Sequence, residues 1–185
     1  MRRIRPTASA CIFGAVTALG VLAGPPMTGA APAKLSSTYV SLAEKNCVVV
    51  DGPKPDDDFQ DWSVSRCGKP VGGWKVYVDY GDVREDILLE RNGTQTALNL
   101  TQLHGSFSSL GPNLEFRLRN KVPFAAVVRH IVNNPENPDI TISYLMVARL
   151  SPKPCVVAEF SPSVNQSALA RAAADKANTL ACLVP

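Results

Sequence analysis

Asn113-Leu114-Glu115-Phe116-Arg117-Leu118-Arg119 alternates polar and apolar side chains without a break. Successive side chains of an extended chain point to opposite faces. Leu114, Phe116 and Leu118 therefore share one face, and Glu115, Arg117 and Arg119 the other, as in a strand with one side in a core. The same period of two runs through Trp74, Val76, Val78 and Tyr80, and through Ile140, Ile142, Tyr144, Met146 and Ala148. Between the first and last of these, Val122 to Val132 is more continuously apolar and reads as a central strand. Tyr39–Leu42, Cys47–Val50, Asp82–Glu90 and Cys155–Phe160 are shorter candidates. Turn signals separate them at Asp51-Gly52-Pro53, Gly72-Gly73, Asn92-Gly93, Gly111-Pro112 and Asn133-Asn134-Pro135, with little helix between, which is the pattern of an antiparallel meander.

The C-terminal stretch from Asn165 to about Ala181 differs: it is rich in alanine and leucine, with Arg171 and Asp175 at i,i+4 spacing. Ser163 or Asn165 can cap its start, and Leu169, Ala172, Ala173 and Leu180 form a thin apolar stripe. The expected fold is α+β: an antiparallel β-sheet (meander) with a C-terminal α-helix packed on one face.

The N-terminus reads as a secretory signal peptide over residues 1–33. Arg2, Arg3 and Arg5 give the positive start, and the apolar stretch Ala10–Gly24 ends at Pro25-Pro26. That stretch is shorter than the ~20 residues a permanent span needs, so no permanent membrane span is expected. Ala31-Pro32-Ala33 fits a cleavage site that leaves residues 34–185 as a single domain, with Thr28-Gly29-Ala30 as the fallback. Without the three signal arginines, 16 basic residues face 16 acidic ones, and this neutrality argues against a nucleic-acid partner. A periplasmic or secreted location follows.

Four cysteines remain beyond that cut: Cys47, Cys67, Cys155 and Cys182. An even number in an oxidising compartment signals disulfides, for which three pairings exist. Cys47–Cys67 and Cys155–Cys182 are favoured because each closes a local loop, worth about 3 kcal/mol in a chain-entropy account. A zinc site is disfavoured, since there is no C-x-x-C and the only histidines are His104 and His130. No metal and no cofactor are expected.

Catalytic motifs are weak. Neither His104 nor His130 lies in a recognisable nucleophile–base context, and G-x-S-x-G is absent. Asp56-Asp57-Asp58 with Asp61 lacks the glycine and terminal glutamate of an EF-hand loop and reads as a solvated acidic loop. Glu85, Asp86 and Glu90 read as the polar side of a strand. The most suggestive set is Arg84, Arg117, Arg119, Arg129 and Arg149. If Arg117, Arg119, Arg129 and Arg149 share one sheet face, they form a basic patch able to grip a carboxylate or phosphate bidentately. The opposing expectation is that they pair with Asp82, Glu115 or other acids and solvate the open face.

With these residues in view, the chain resembles a family of small exported (periplasmic) alphaproteobacterial proteins of unknown function. The likeness rests on Tyr39 with Cys47, Arg66-Cys67-Gly68, Gly81-Asp82 with Arg84, and Leu114-Glu115-Phe116-Arg117-Leu118. It continues through Pro123-Phe124 with Arg129, Cys155, the Leu169-Ala170-Arg171 to Ala174-Asp175 helix, and Cys182. The resemblance implies a periplasmic setting and supports the two-plus-two cysteine layout, and it carries no activity. The function expected is a non-enzymatic binding or inhibitor-like module for an envelope protein or anionic ligand. The competing expectations are a cell-wall-directed hydrolase and a structural envelope protein.

Overall fold

A computed structural model describes residues 33–183. The expected signal segment lies outside them apart from Ala33. Ten antiparallel strands form two sheets. The first, sheet A, contains β1 (Leu35–Ser41), β7 (Ser108–Arg119), β8 (Val122–Asn134), β9 (Asn137–Arg149) and β10 (Cys155–Phe160), in the order β1-β7-β8-β9-β10. The second, sheet B, is a plain meander of β2 (Cys47–Asp51), β3 (Trp62–Val71), β4 (Trp74–Gly81), β5 (Arg84–Arg91) and β6 (Thr94–Ala97). A one-turn helix, α1 (Thr101–His104), connects the sheets, and α2 (Gln166–Ala174) follows β10.

The meander and the C-terminal helix stand. The single sheet does not: the protein is mostly β, with two sheets closed on each other. Alternation reports that a strand buries one face but is silent on what covers it. A nine-residue helix is only about 14 Å long, too short to cover every apolar face in the chain. The inner faces of the two sheets cover one another instead. Trp74, Val76, Val78, Ile87 and Leu89 from sheet B pack against Val40, Leu114, Phe116, Ala126, Val128, Met146 and Ala148 from sheet A.

Strand β8 is apolar on both sides because it separates two cores. Ala126 and Val128 face sheet B, while Ala125 and Val127 face α2. The helix contributes Ala170 and Ala174, with Ala177 just beyond, all fully buried. The stripe read from the sequence is therefore rotated: Leu169 is 48% exposed, and small alanines let the helix lie close on Ala125. Tight turns join the hairpins. At the β3–β4 turn Gly72 has φ +55°, and a Cβ there would stand 2.5 Å from Pro123 of the opposite sheet, so the turn admits only glycine.

Candidate functional site

The four arginines of the expected patch do lie toward α2 on sheet A, and each is engaged by the helix or the chain beyond it. On β7, Arg117 donates from Nε and Nη2 to Asp175 Oδ1 at 2.9 and 2.7 Å, and from Nη1 to Ser37 Oγ at 2.7 Å. Arg119 donates to the Asp175 carbonyl at 3.1 Å and lies over the Phe124 ring at 4.5 Å. On β8, Arg129 donates to Ser143 Oγ and to Gln166 Oε1, and Gly111 gives it room, since a Cβ there would meet Arg129 Cβ at 2.7 Å. On β9, Arg149 donates to the Leu180 carbonyl at 3.0 Å. Arg84 stands apart, paired with Asp82 and stacked over Phe107.

The helix answers with a cation of its own. Arg171 donates to both oxygens of Glu115, at 2.9 and 3.1 Å, and to the Tyr39 hydroxyl at 3.0 Å. Burial pushes the Glu115 carboxyl up, but hydrogen bonds from Arg171 and Ser37 outweigh it and hold the group below its ordinary range. The cleft left in this seam, about 200 Å³, is lined by Glu115 as well as Arg129 and Arg171. Each of its charged groups is hydrogen-bonded within the fold, so the arginines fasten a helix to a sheet. Their partners come from 56 to 58 residues away for Arg117 and Arg119, which no local reading of the strands could supply.

The other corner of the molecule is unfinished. Strand β2 ends sheet B and pairs only with β3, to which Cys47–Cys67 clamps it. Val48, Val49 and Val50 are 62%, 65% and 50% exposed. The other three sheet edges are polar or covered. Strand β6 is short and polar. Along β10, the Leu183 N–H donates to the Val156 carbonyl at 2.8 Å and Cys155–Cys182 ties the tail down. Strand β1 is serine-rich, and its Tyr39 is bonded to Arg171. A bare apolar edge is a template for pairing with another chain.

Beside β2 opens a cleft of about 430 Å³ between the sheets, lined by Leu42, Val49, Val78 and Tyr80 with Glu44 and Glu85 as its charged groups. The loop leaving β2 carries Asp56, Asp57, Asp58 and the exposed Phe59. Asp57 accepts the Lys54 N–H at 2.7 Å, which shapes the loop from within. The cleft on the Val49 side of β2 is thus apolar and acidic, while the exposed Arg66 stands opposite Val48 on the other side. The signal was present in the sequence as three consecutive valines, but an edge strand cannot be told from a central one without the topology.

The structure also assembles a cluster the sequence kept apart. His104 of α1 bonds Glu159 of β10 at 2.8 Å and stacks on Tyr144 at 4.2 Å between ring centroids, with His130 at 5.8 Å. His130 is fully buried, and neither ring nitrogen has a hydrogen-bond partner among the described residues. Desolvation, with a smaller contribution from His104, lowers its pKa to about 4, so it is a neutral core residue at pH 7. A base without a bonded nucleophile does not make a serine-hydrolase pair.

The carboxylates of β5 divide between faces. Glu85 accepts the Leu110 N–H at 2.6 Å, and Glu90 is bonded to Lys75 and Tyr77, each at 2.6 Å. Asp86 stands opposite Asp79 on the outer face of sheet B and accepts the Ile87 and Leu100 N–H groups at 2.7 and 3.2 Å. Burial pushes Asp86 up to about 6 against these hydrogen bonds, and Asp79 is raised by burial as well. Among the described residues, no group of three or more His, Cys, Asp or Glu side chains is arranged to hold a metal ion. No helix among them is long and apolar enough to cross a membrane. No family model, curated protein or solved structure matches the chain.

Proposed function

We infer that this is an exported, periplasmic binding module that takes an extended segment of a partner protein as an added strand along β2. The observation that carries the reading is the bare edge itself, with Val48, Val49 and Val50 open to solvent while the other edges are polar or covered. Main-chain hydrogen bonds to an exposed edge give affinity, and flanking pockets for alternate side chains give specificity. Val49 faces the cleft, where Glu44 and Glu85 supply negative charge, and Asp56–Asp58 lie past the end of the strand. The partner segment that fits is extended and apolar, with basic flanks. Two disulfides suit an oxidising compartment, and the Cys47–Cys67 bridge holds the edge ready, lowering the entropy cost of docking.

The test is titration of the mature, oxidised chain with a heptapeptide alternating valine and lysine, and with its valine–glutamate counterpart. Saturable binding of the lysine peptide, weakened at least tenfold by Val49→Lys, is expected. Equal binding of both peptides, or indifference to Val49→Lys, would contradict the reading.

The facing carboxylates Asp79 and Asp86 favour a second reading, a cell-wall-directed hydrolase. Directly opposed residues on antiparallel strands have Cβ atoms about 5 Å apart, within range for paired acids. Asp86 is, however, held by two backbone N–H groups, and neither acid lines the clefts described above. Release of fragments from a cell-wall preparation, abolished by Asp79→Asn, would establish that reading in place of the first.

A further inference from the structure

At the far end of β4 from the acidic cleft, the two sheets part again. Trp74 opens β4 and Tyr80 nearly closes it, so the two openings lie about 20 Å apart along the strand at ~3.3 Å per residue. The second opening, about 360 Å³, has a floor of Trp74, Leu150 and Pro154. Its charged groups are Arg91 at the end of β5 and Lys153 in the loop before β10, and no acidic side chain lines it. Neither cation forms an ion pair among the described residues.

The arrangement is held in place. Arg91 lies over the Trp74 ring at 5.3 Å, a cation–π contact that fixes the guanidinium at the rim. Trp74 is 5% exposed, and its indole N–H has no acceptor among the described residues. The hydroxyls of Thr94, Thr96 and Ser151 complete the wall. Two solvent-facing cations with no carboxylate in the lining suit an oxyanion, several hydroxyls suit a hydroxylated ligand, and the indole and proline surfaces suit its C–H faces.

We propose that this corner binds an acidic saccharide, a sugar-sized molecule whose carboxylate or phosphate is gripped by Arg91 and Lys153. The site is independent of β2 and uses the opposite sign of charge. Its oxyanion receives a bidentate contact from the guanidinium and a point charge from the ammonium, while the sugar hydroxyls meet Thr94, Thr96 and Ser151.

The experiment is calorimetric titration of the mature, oxidised chain with glucuronate, glucose 6-phosphate and neutral glucose. Either acidic sugar is expected to bind saturably, at least tenfold tighter than glucose, and the stronger of the two identifies the oxyanion. Arg91→Gln and Lys153→Gln are each expected to weaken binding about tenfold, as loss of a charged hydrogen bond does. Both residues are exposed, so the variants stay folded, Arg91→Gln losing only the small stabilisation of its cation–π contact, and Val49→Lys leaves sugar binding unchanged. Three outcomes would overturn the proposal: no saturable binding of either acid, glucose binding as tightly as the acids, or affinities indifferent to Arg91→Gln and Lys153→Gln.

Discussion

Sheet A and sheet B are built from similar alternating strands, but one is completed by the chain and the other is left open. On sheet A the outer face is roofed by α2, the arginines of β7, β8 and β9 grip that roof, and the tail closes the edge at β10. On sheet B a three-valine edge and two oppositely charged openings face solvent. The described residues are formally neutral but not evenly arranged: on sheet A the arginines of β7, β8 and β9 are turned to fastening a helix, whereas sheet B, beside its own pairs Lys75–Glu90 and Arg84–Asp82, also shows charge at two openings. The difference teaches that an arginine on a strand says little until its acid is found, whereas an exposed apolar edge with unmatched charge beside it points outward.

The comparison can be broken most severely at the seam. Arg117 is nearly buried against Asp175, and Arg117→Ala leaves that carboxylate without its partner. A loss of about 3–4 kcal/mol in denaturant unfolding is expected, with peptide binding at β2 retained in the folded fraction. Removing Cys47 and Cys67 together strikes the other sheet. A loss of about 3 kcal/mol is expected from the 20-residue separation, and β2 binding falls with it because the edge is no longer clamped.

A pH series sharpens the contrast, because each sheet carries one strongly shifted group of opposite sign. His130 of sheet A has its pKa lowered from 6.5 to about 4, so its stabilising contribution is present above pH 6.5 and is lost as pH falls toward 4. Asp86 of sheet B is raised from 3.8 to about 6, so its contribution is full below pH 3.8 and is lost as pH rises through 6. Each shift corresponds to about 3 kcal/mol. The two windows overlap and nearly cancel, so wild-type stability contributed by this pair stays flat between pH 7 and 4. Asp86→Asn should stabilise the protein at pH 7 and expose a steep acid loss, and His130→Leu should show the opposite slope, both read from thermal unfolding across pH. The smallest stability effect belongs to Val49→Lys, within about 0.5 kcal/mol as a surface change, although it should weaken peptide binding at least tenfold.

Much of the architecture was legible in the sequence. Trp74–Tyr80, Leu114–Leu118 and Tyr144–Ala148 put their apolar residues inward as their alternation implies, and both disulfides join the local pairs. Strand β3 was missed because Arg66-Cys67-Gly68-Lys69-Pro70 breaks the alternation at a bulge where Gly68 has φ +60°. The second sheet was missed because a strand's apolar face is satisfied equally by a helix or by another sheet. The sites were less legible than the fold. Arg117 meets Asp175, Arg171 meets Glu115, and His104 meets Glu159 across separations of 58, 56 and 55 residues, so only the fold brings them together. The valines of β2 and the Arg91–Lys153 pair were visible as residues, but their exposure follows from strand order.

Hydrogen exchange of the β2 amides, with and without the valine–lysine peptide, tests the central claim most directly. An added strand should slow exchange at outward-facing N–H groups between Val48 and Asp51 and leave β1 and β6 unchanged. Slowed exchange at β1 or β6 with β2 unaltered, under saturating peptide, would contradict it.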